Sequence, residues 1–324
     1  MKALATTKRA AILQSLCEGM SIRATSRITG AATNTILDLL AKVGEACSVY
    51  QDEHLRGLQK CSDVQLDEIF CFVGCREKNK ARAVGEHPGD TWAWIALGAK
   101  TKLRITWHVG DRSHRSAFAF CHDLAKRVPG NAQVTSDGLA SYKFAMSSAM
   151  PAAQFAQLVK VYDTDSEGRE IVTRADKMPV FGDPDPARIS TSFMEASNLH
   201  MRMQNRRYAR RTNAHSKKIQ NHCHMLALGF MQYNFCRKHM TIKQTPAQAA
   251  GVADRQWTME DVVAISDRYH ENKLAAEFEA AFEAKFTPKR KPPKSYTPTP
   301  KNEIPLPWYL DPNGVPPEGD SELP

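Results

Sequence analysis

The spacing of hydrophobic positions changes along this chain, and each change marks a boundary in its organisation. Over residues 7 to 44, apolar side chains recur every three to four residues in KRAAILQSLCEG. They pause at Gly19, resume in SIRATSRIT, pause at Gly30 and resume in TNTILDLLAKVG. That period predicts three short helices. Two short helices joined through a Gly-containing turn read as a helix-turn-helix, with the third helix opening near Thr33. At helical spacing Ile36, Leu39, Leu40 and Val43 face inward, while Thr33, Asn34, Thr35 and Lys42 face outward. A plain three-helix cap has the same apolar pattern, so both readings stand.

From residue 64 the period shortens. VQLDEIFCFV, TWAWIALGA and LRITWHVG are rich in β-branched and aromatic residues, and their short connections predict an antiparallel meander. SAFAFCHDLAKRV then reads as a helix with Phe118, Cys121, Leu124 and Ala125 on its apolar side, followed by a strand, AQVTSD, that ends at Asp137. A further short helix and LVKVY complete the order of three strands, helix, strand, helix, strand, which predicts an α/β domain around a mixed five-stranded sheet with flanking helices. Residues 163 to 192, rich in Asp, Gly, Pro, Ser and Arg, read as a loop or flexible insertion. The stretch from about Thr287 is Pro-rich, basic at its start and without apolar periodicity, which predicts a disordered tail. The expected organisation is a small helical unit over 1–50, an α/β domain over 60–255, a helical extension over 256–286 and the tail over 287–324.

Three acids stand where this layout can bring them together. Asp67 lies within the first strand, expected to be central, Asp137 ends the fourth, and Glu195 opens the helical stretch SFMEASNLHMR, so the helix can close over the sheet edge that carries the other two. Carboxylates gathered in this way form an oxygen-rich site for a hard cation, Mg²⁺ or Mn²⁺. A pair of such ions supports in-line phosphoryl displacement. Glu68 alternates to the opposite sheet face and is the weaker ligand candidate. His200 and His215 do not share a tight helical face with Glu195, and His200 reads as a packing or phosphate contact. Trp92, Trp94 and Trp107 read as sheet-stabilising.

Charge adds a partner. Lysine and arginine outnumber aspartate and glutamate by 44 to 35, and no acid occurs between Glu195 and Asp254. Arg202, Arg206, Arg207, Arg210, Arg211, Lys217 and Lys218 crowd the first half of that interval. A one-sided field of this kind gathers phosphates and makes binding salt-dependent. The 8 cysteines are scattered, mostly within apolar runs, where a thiol serves as a small hydrophobe. Cys71 with Cys75, and His222, Cys223 and His224 with Cys236 and His239, are of zinc-ligating types; packing is the simpler reading of both sets. No secretory apolar region follows the amino terminus and no apolar run is long enough to span a bilayer, so the expectation is a cytoplasmic, nucleoid-associated protein with no membrane partner.

The blocks LDEIFCFVG, TSDGLASY and MEASNLHMRMQNRRYARRTNAHSK, with FMQYNFCRKHMTIKQTPAQAAG downstream, resemble the IS1-family DDE transposases of bacterial insertion sequences over roughly residues 5 to 255. The resemblance implies a ribonuclease H-like catalytic domain in which Asp67, Asp137 and Glu195 hold Mg²⁺, with Mn²⁺ able to substitute. It implies cleavage at the element's ends, transfer of the freed 3′-hydroxyl into target DNA, and assembly of more than one copy on double-stranded DNA. Thr33, Asn34 and Thr35 are the expected base-reading positions, and the arginines and lysines after Glu195 the expected phosphate contacts. The chain departs from the smallest family members in its shorter amino-terminal unit and long Pro-rich tail. A ribonuclease H-like nuclease that cuts without joining, and a DNA-binding regulator with an inactive effector domain, are the alternatives.

Overall fold

In the computed structural model, which describes residues 4–82, 89–165, 167–209 and 212–286, the helical spacing at the amino end becomes α1 (Thr6–Cys17), α2 (Ile22–Thr29) and α3 (Thr33–His54). The Ser21 hydroxyl caps α2 by accepting from Ala24 N, and Gly30 ends it in the left-handed region. Ile36, Leu40 and Val43 are buried, whereas Thr33 and Asn34 are exposed and Thr35 is half-buried. The third helix runs on past the expected stop to bury Cys47 and Gln51 as well.

The expected strands become β1 (Asp63–Val73), β2 (Gly89–Gly98), β3 (Arg104–Gly110), β4 (Gln133–Asp137) and β5 (Gln154–Thr164). Between them lie α4 (His114–Ala125) and α5 (Ser141–Ala149). A sixth strand, β6 (Glu170–Phe181), pairs antiparallel with β5, so the sheet order is β3-β2-β1-β4-β5-β6. The first three strands are antiparallel, and β1, β4 and β5 run parallel.

Two expectations are corrected here. Residues 170–181, expected in a loop, form the edge strand of a long hairpin. Its turn is held by Asp165 Oδ1, which accepts from Glu167 N and Arg169 N. The strand is wet on both faces, so it lacks the in–out alternation that reveals a half-buried strand, and Pro179 is tolerated because β6 is an edge. In α4 the core-facing residues are Ala117, Phe120, Cys121 and Leu124; Phe118 is exposed, its place taken by Phe120 against Trp94.

Residues of β1 serve two apolar layers. Val64 and Leu66 join Trp94, Phe120, Tyr142 and the interiors of α1 and α3, while Ile69 and Cys71 pack with Met194, Met201, Tyr208, Leu226 and Phe230. Those latter residues belong to α6 (Ser192–Gln204), a single 3₁₀ turn (Arg206–Tyr208) and α7 (Ile219–Met231). Beyond them come α8 (Pro246–Ala250) and α9 (Met259–Phe286).

The amino-terminal helices are fastened to this body. A Cβ at Gly44 of α3 would stand 2.4 Å from the Cβ of His224 in α7, so the close helix crossing requires glycine there. Seven residues on, Gln51 Nε2 donates to Ala227 O at 3.0 Å. Residues up to Leu274 form one unit and a second begins at Ala275. The Pro-rich stretch from residue 287 lies outside the described residues.

Candidate functional site

The parallel pairing of β1 with β4 sets the geometry of the site. Asp63 lies opposite Gln133, Val64 opposite Val134 and Gln65 opposite Thr135. Continuing that register by two residues sets Asp67 opposite Asp137, on the same face of the sheet, where β4 ends. Single carboxylate oxygens of Asp67, Glu68 and Asp137 all come within 4.8 Å of one another. Among the described residues, this is the group of His, Cys, Asp and Glu side chains close enough to share an ion.

Each member is held. Asp67 Oδ1 accepts from Glu68 N at 2.9 Å and Oδ2 from Asn198 Nδ2 at 2.8 Å. Burial pushes the Asp67 carboxyl up to about 6, with the Asp137 charge next in effect and Glu195 adding to it, against the two hydrogen bonds. Asp137 Oδ1 accepts from Leu139 N, and Gln157 Nε2 pins the same turn by donating to the carbonyls of Asp137 and Leu139.

Glu68, expected on the opposite sheet face, nevertheless brings a carboxylate oxygen into the cluster. Its side chain is 1% exposed and salt-bridged to Arg112 at 3.1 Å, yet it reaches the cluster because Asp137 sits at the sheet's end, where carboxylates from both faces converge. Burial, then the Asp137 charge, pushes the Glu68 carboxyl up to about 7. Arg112 also lies 4.0 Å from Asp137.

Glu195 stands in the first turn of α6, above this edge, but outside the close trio. Its Oε1 accepts from Lys160 Nζ at 2.6 Å and from Thr191 Oγ1 at 2.8 Å. Partial burial draws its carboxyl upward, and those two donors outweigh that and hold it below the usual range. The helix is tied down at three places: Met194 N donates to Gln65 Oε1, Asn198 donates to Asp67, and the guanidinium of Arg104 donates to Ser197 Oγ and Ser197 O. The amide that binds Asp67 through its nitrogen has its oxygen, Asn198 Oδ1, buried without a hydrogen-bond partner, which leaves an oxygen available beside the site.

The basic run is not one long helix. After Arg202, α6 stops at Gln204, Asn205 Oδ1 accepts from Arg207 N, and the chain turns through Arg206–Tyr208; α7 begins at Ile219. A continued helix would stack like charges at i and i+4, Arg206 on Arg210 and Arg207 on Arg211, with little apolar surface in return. Arg210 and Arg211 lie outside the described residues. Arg206, Lys217 and Lys218 are exposed. Arg207 instead turns inward, donating from Nε to Ser216 Oγ at 2.8 Å, and burial pushes its guanidinium down to about 10. Ser216 in turn pairs with the end of β1 through Gly74 N. A groove of about 1060 Å³ runs between this segment and the amino-terminal helices, with Arg23, Thr33, Arg202, Arg206, Lys217 and Lys218 among its walls. Of the three expected base-reading residues, Thr33 lines it.

The remaining candidates are structural. His200 is half-buried near Tyr233 and Arg104, and burial pushes its imidazole down to about 4. His222 is buried between Tyr208 Oη at 2.7 Å and Cys71 Sγ at 3.5 Å. All 8 cysteines are free thiols. Trp94 is fully buried, its indole N–H donating to Asp111 O.

No helix among the described residues is long and apolar enough to cross a membrane. Searches against protein-family models and against curated proteins return no match to this sequence.

Proposed function

We propose that this chain is a DNA strand-transfer enzyme of the DDE transposase type, built on a ribonuclease H-like sheet and dependent on Mg²⁺ or Mn²⁺. The observation that carries the reading is the register of β1 against β4, which faces Asp67 with Asp137, beneath a helix tied at Gln65, Asp67 and Arg104 that bears Glu195. The donor set fits the cation: three clustered carboxylates are all hard oxygen ligands, and an orphaned buried amide oxygen, Asn198 Oδ1, lies beside them.

When bound, divalent ions would supply charge neutralisation for an in-line displacement at phosphorus and lower the pKa of a bound water. The protein's own part is positional. Asp67 and Asp137 would hold one ion, with Glu68 N and Asn198 Nδ2 fixing the orientation of the Asp67 carboxylate, and Glu195 would contribute from α6. Glu68 reinforces the negative potential of the pocket from the opposite face, tempered by Arg112. Arg206, Lys217 and Lys218 grip duplex phosphates, which positions the DNA without reading its bases. Water serves as nucleophile for cleavage at the element's end, and the freed 3′-hydroxyl for attack on the target strand.

The test is cleavage and joining by the purified protein on duplexes taken from the DNA flanking its coding region, with Mg²⁺. Asp67→Asn, Asp137→Asn and Glu195→Gln should each remain folded and DNA-bound while losing both reactions, since each amide keeps the size and removes the anionic ligand. Cleavage without joining in the parent would assign a nuclease. Normal cleavage in all three variants would remove the mechanism, and DNA binding with no metal-dependent reaction would leave a DNA-binding regulator.

A further inference from the structure

Of the acids assigned to the reaction, Glu195 is the one already engaged by a protein cation at short range. Its Oε1 takes both Lys160 Nζ, at 2.6 Å, and the Thr191 hydroxyl, at 2.8 Å. Asp67 accepts only from neutral donors, and the Arg112 that lies 4.0 Å from Asp137 is bound more closely to Glu68, at 3.1 Å. Lys160 comes from the middle of β5, one strand beyond β4, so it reaches across the sheet edge toward α6, near enough for Asp67 to influence it as well. The pair is partly exposed, with 31% of the lysine and 46% of the glutamate side chain accessible. A monovalent ammonium therefore already partners the carboxylate that a second divalent cation would share.

Resting on the metal-site reading above, we propose that Lys160 is a built-in competitor for the divalent ion that Glu195 would share. The ammonium neutralises and orients Glu195 in the ion-free protein, and it must give way before Oε1 can ligate, its charge opposing a divalent ion at that carboxylate throughout. The two ions then bind unequally: the first at the Asp67–Asp137 pair, the second against the competing charge of Lys160. A merely structural pair that fastened β5 to α6 predicts the opposite sign, because removing the lysine would then loosen Glu195 and weaken ion binding.

The experiment is a titration of the full-length protein with Mn²⁺ alone, in the absence of DNA, following bound ion by calorimetry and by the electron paramagnetic resonance signal of free Mn²⁺. Lys160→Met should tighten the weaker of two sites by about two- to fivefold, the scale set by a partly exposed ion pair. Lys160→Gln, a second uncharged side chain, should do the same, and Lys160→Arg, which keeps the charge, should titrate as the parent does. In a Glu195→Gln background the Lys160→Met effect should vanish. Unchanged or weaker binding in both uncharged variants, with the parent binding Mn²⁺ normally, would overturn the role of Lys160 and leave the metal site standing. No Mn²⁺ uptake by the parent would overturn both.

Discussion

Asp67 is a buried carboxylate facing a second one, and its titration should be visible in the stability of the protein. Its carboxyl is raised from 3.8 to about 6 by burial and by the Asp137 charge, so the folded chain holds this proton more tightly than the unfolded chain does. A group of that kind contributes stability that is fully present below about pH 4 and is lost as pH rises through about 6. The metal-free protein should therefore weaken across that window, and Glu68, pushed up to about 7, should extend the loss to slightly higher pH. Asp67→Asn removes the cost of ionising a buried group. In metal-free urea unfolding it should be more stable than the parent by on the order of 2–3 kcal/mol at pH 8, and nearly equal to it at pH 4. Saturating Mg²⁺ should narrow the difference at pH 8 by stabilising the parent alone. An equal gain at both pH values would show that Asp67 ionises without penalty and is not the buried member of the site.

At the scale of elements, α6 is the part whose position decides whether Glu195 reaches the sheet edge, and much of its anchorage comes from an uncommon source. Arg104 of β3 is buried, and among the described residues it has no carboxylate partner; its guanidinium spends its donors on Ser197 and lies 3.8 Å over the Tyr233 ring. Replacing this buried charge by an apolar side chain removes a desolvation cost but leaves the buried Ser197 hydroxyl and carbonyl without their donor, so Arg104→Met should remain folded with a denaturant midpoint somewhat below the parent's. It should nonetheless release α6: amide exchange over residues 192–204 should quicken, and metal-dependent cleavage should fall by about tenfold or more, as misplacement of a catalytic group costs. Unaltered exchange in α6 would show that Gln65 and Asn198 suffice to hold it. How far such features can be read from sequence depends on where their partners lie. The strands β1 to β5 show themselves as short runs rich in apolar, β-branched or aromatic residues, buried on both faces at the sheet centre, and helices α3 and α4 by apolar residues that recur at helical period. The hairpin strand β6 hides because both its faces are wet. The basic segment after Gln204 looks helical by composition, yet Asn205 ends the helix and Tyr208, a single buried ring in place of an apolar stripe, anchors the turn beyond it. Asp67 and Asp137 are legible as strand-borne acids whose register can be counted, whereas Asn198 and Lys160 meet their partners across 131 and 35 residues and carry no local signal. Glu68 joins the group because alternation along one strand says nothing about an acid at the last residue of the next, where side chains from either face can approach it.

At the scale of the whole molecule, the helices expected to read DNA and the segment expected to grip it form the two walls of one groove. The turn between α1 and α2 meets the last turn of α6 at Gly19, where φ is +80° and a Cβ would fall 2.8 Å from Met203 O. The groove is therefore joined to the helix that carries Glu195 through a close approach that only glycine allows without displacement. Its charged walls should act unequally. Arg206, Lys217 and Lys218 are exposed and offer charge to phosphate, while Arg207 spends its guanidinium on Ser216, the residue that joins the segment to the end of β1. Changing the three exposed residues together to glutamine should leave the unfolding midpoint within about 0.5 kcal/mol of the parent, as surface changes do. It should also lower the slope of log affinity against log salt by roughly 0.9 for each phosphate no longer neutralised, so by about two to three in all. Arg207→Gln should show the reverse balance: a small change of salt slope and a clear loss of stability, because it leaves the buried Ser216 hydroxyl without its donor. Fluorescence anisotropy with a random-sequence duplex at several salt concentrations, beside urea unfolding, separates the two outcomes. Equal salt slopes in the parent and the triple variant would remove the groove as the phosphate-binding surface, and a salt slope for Arg207→Gln as shallow as that of the triple variant would move Arg207 from the scaffold to the interface.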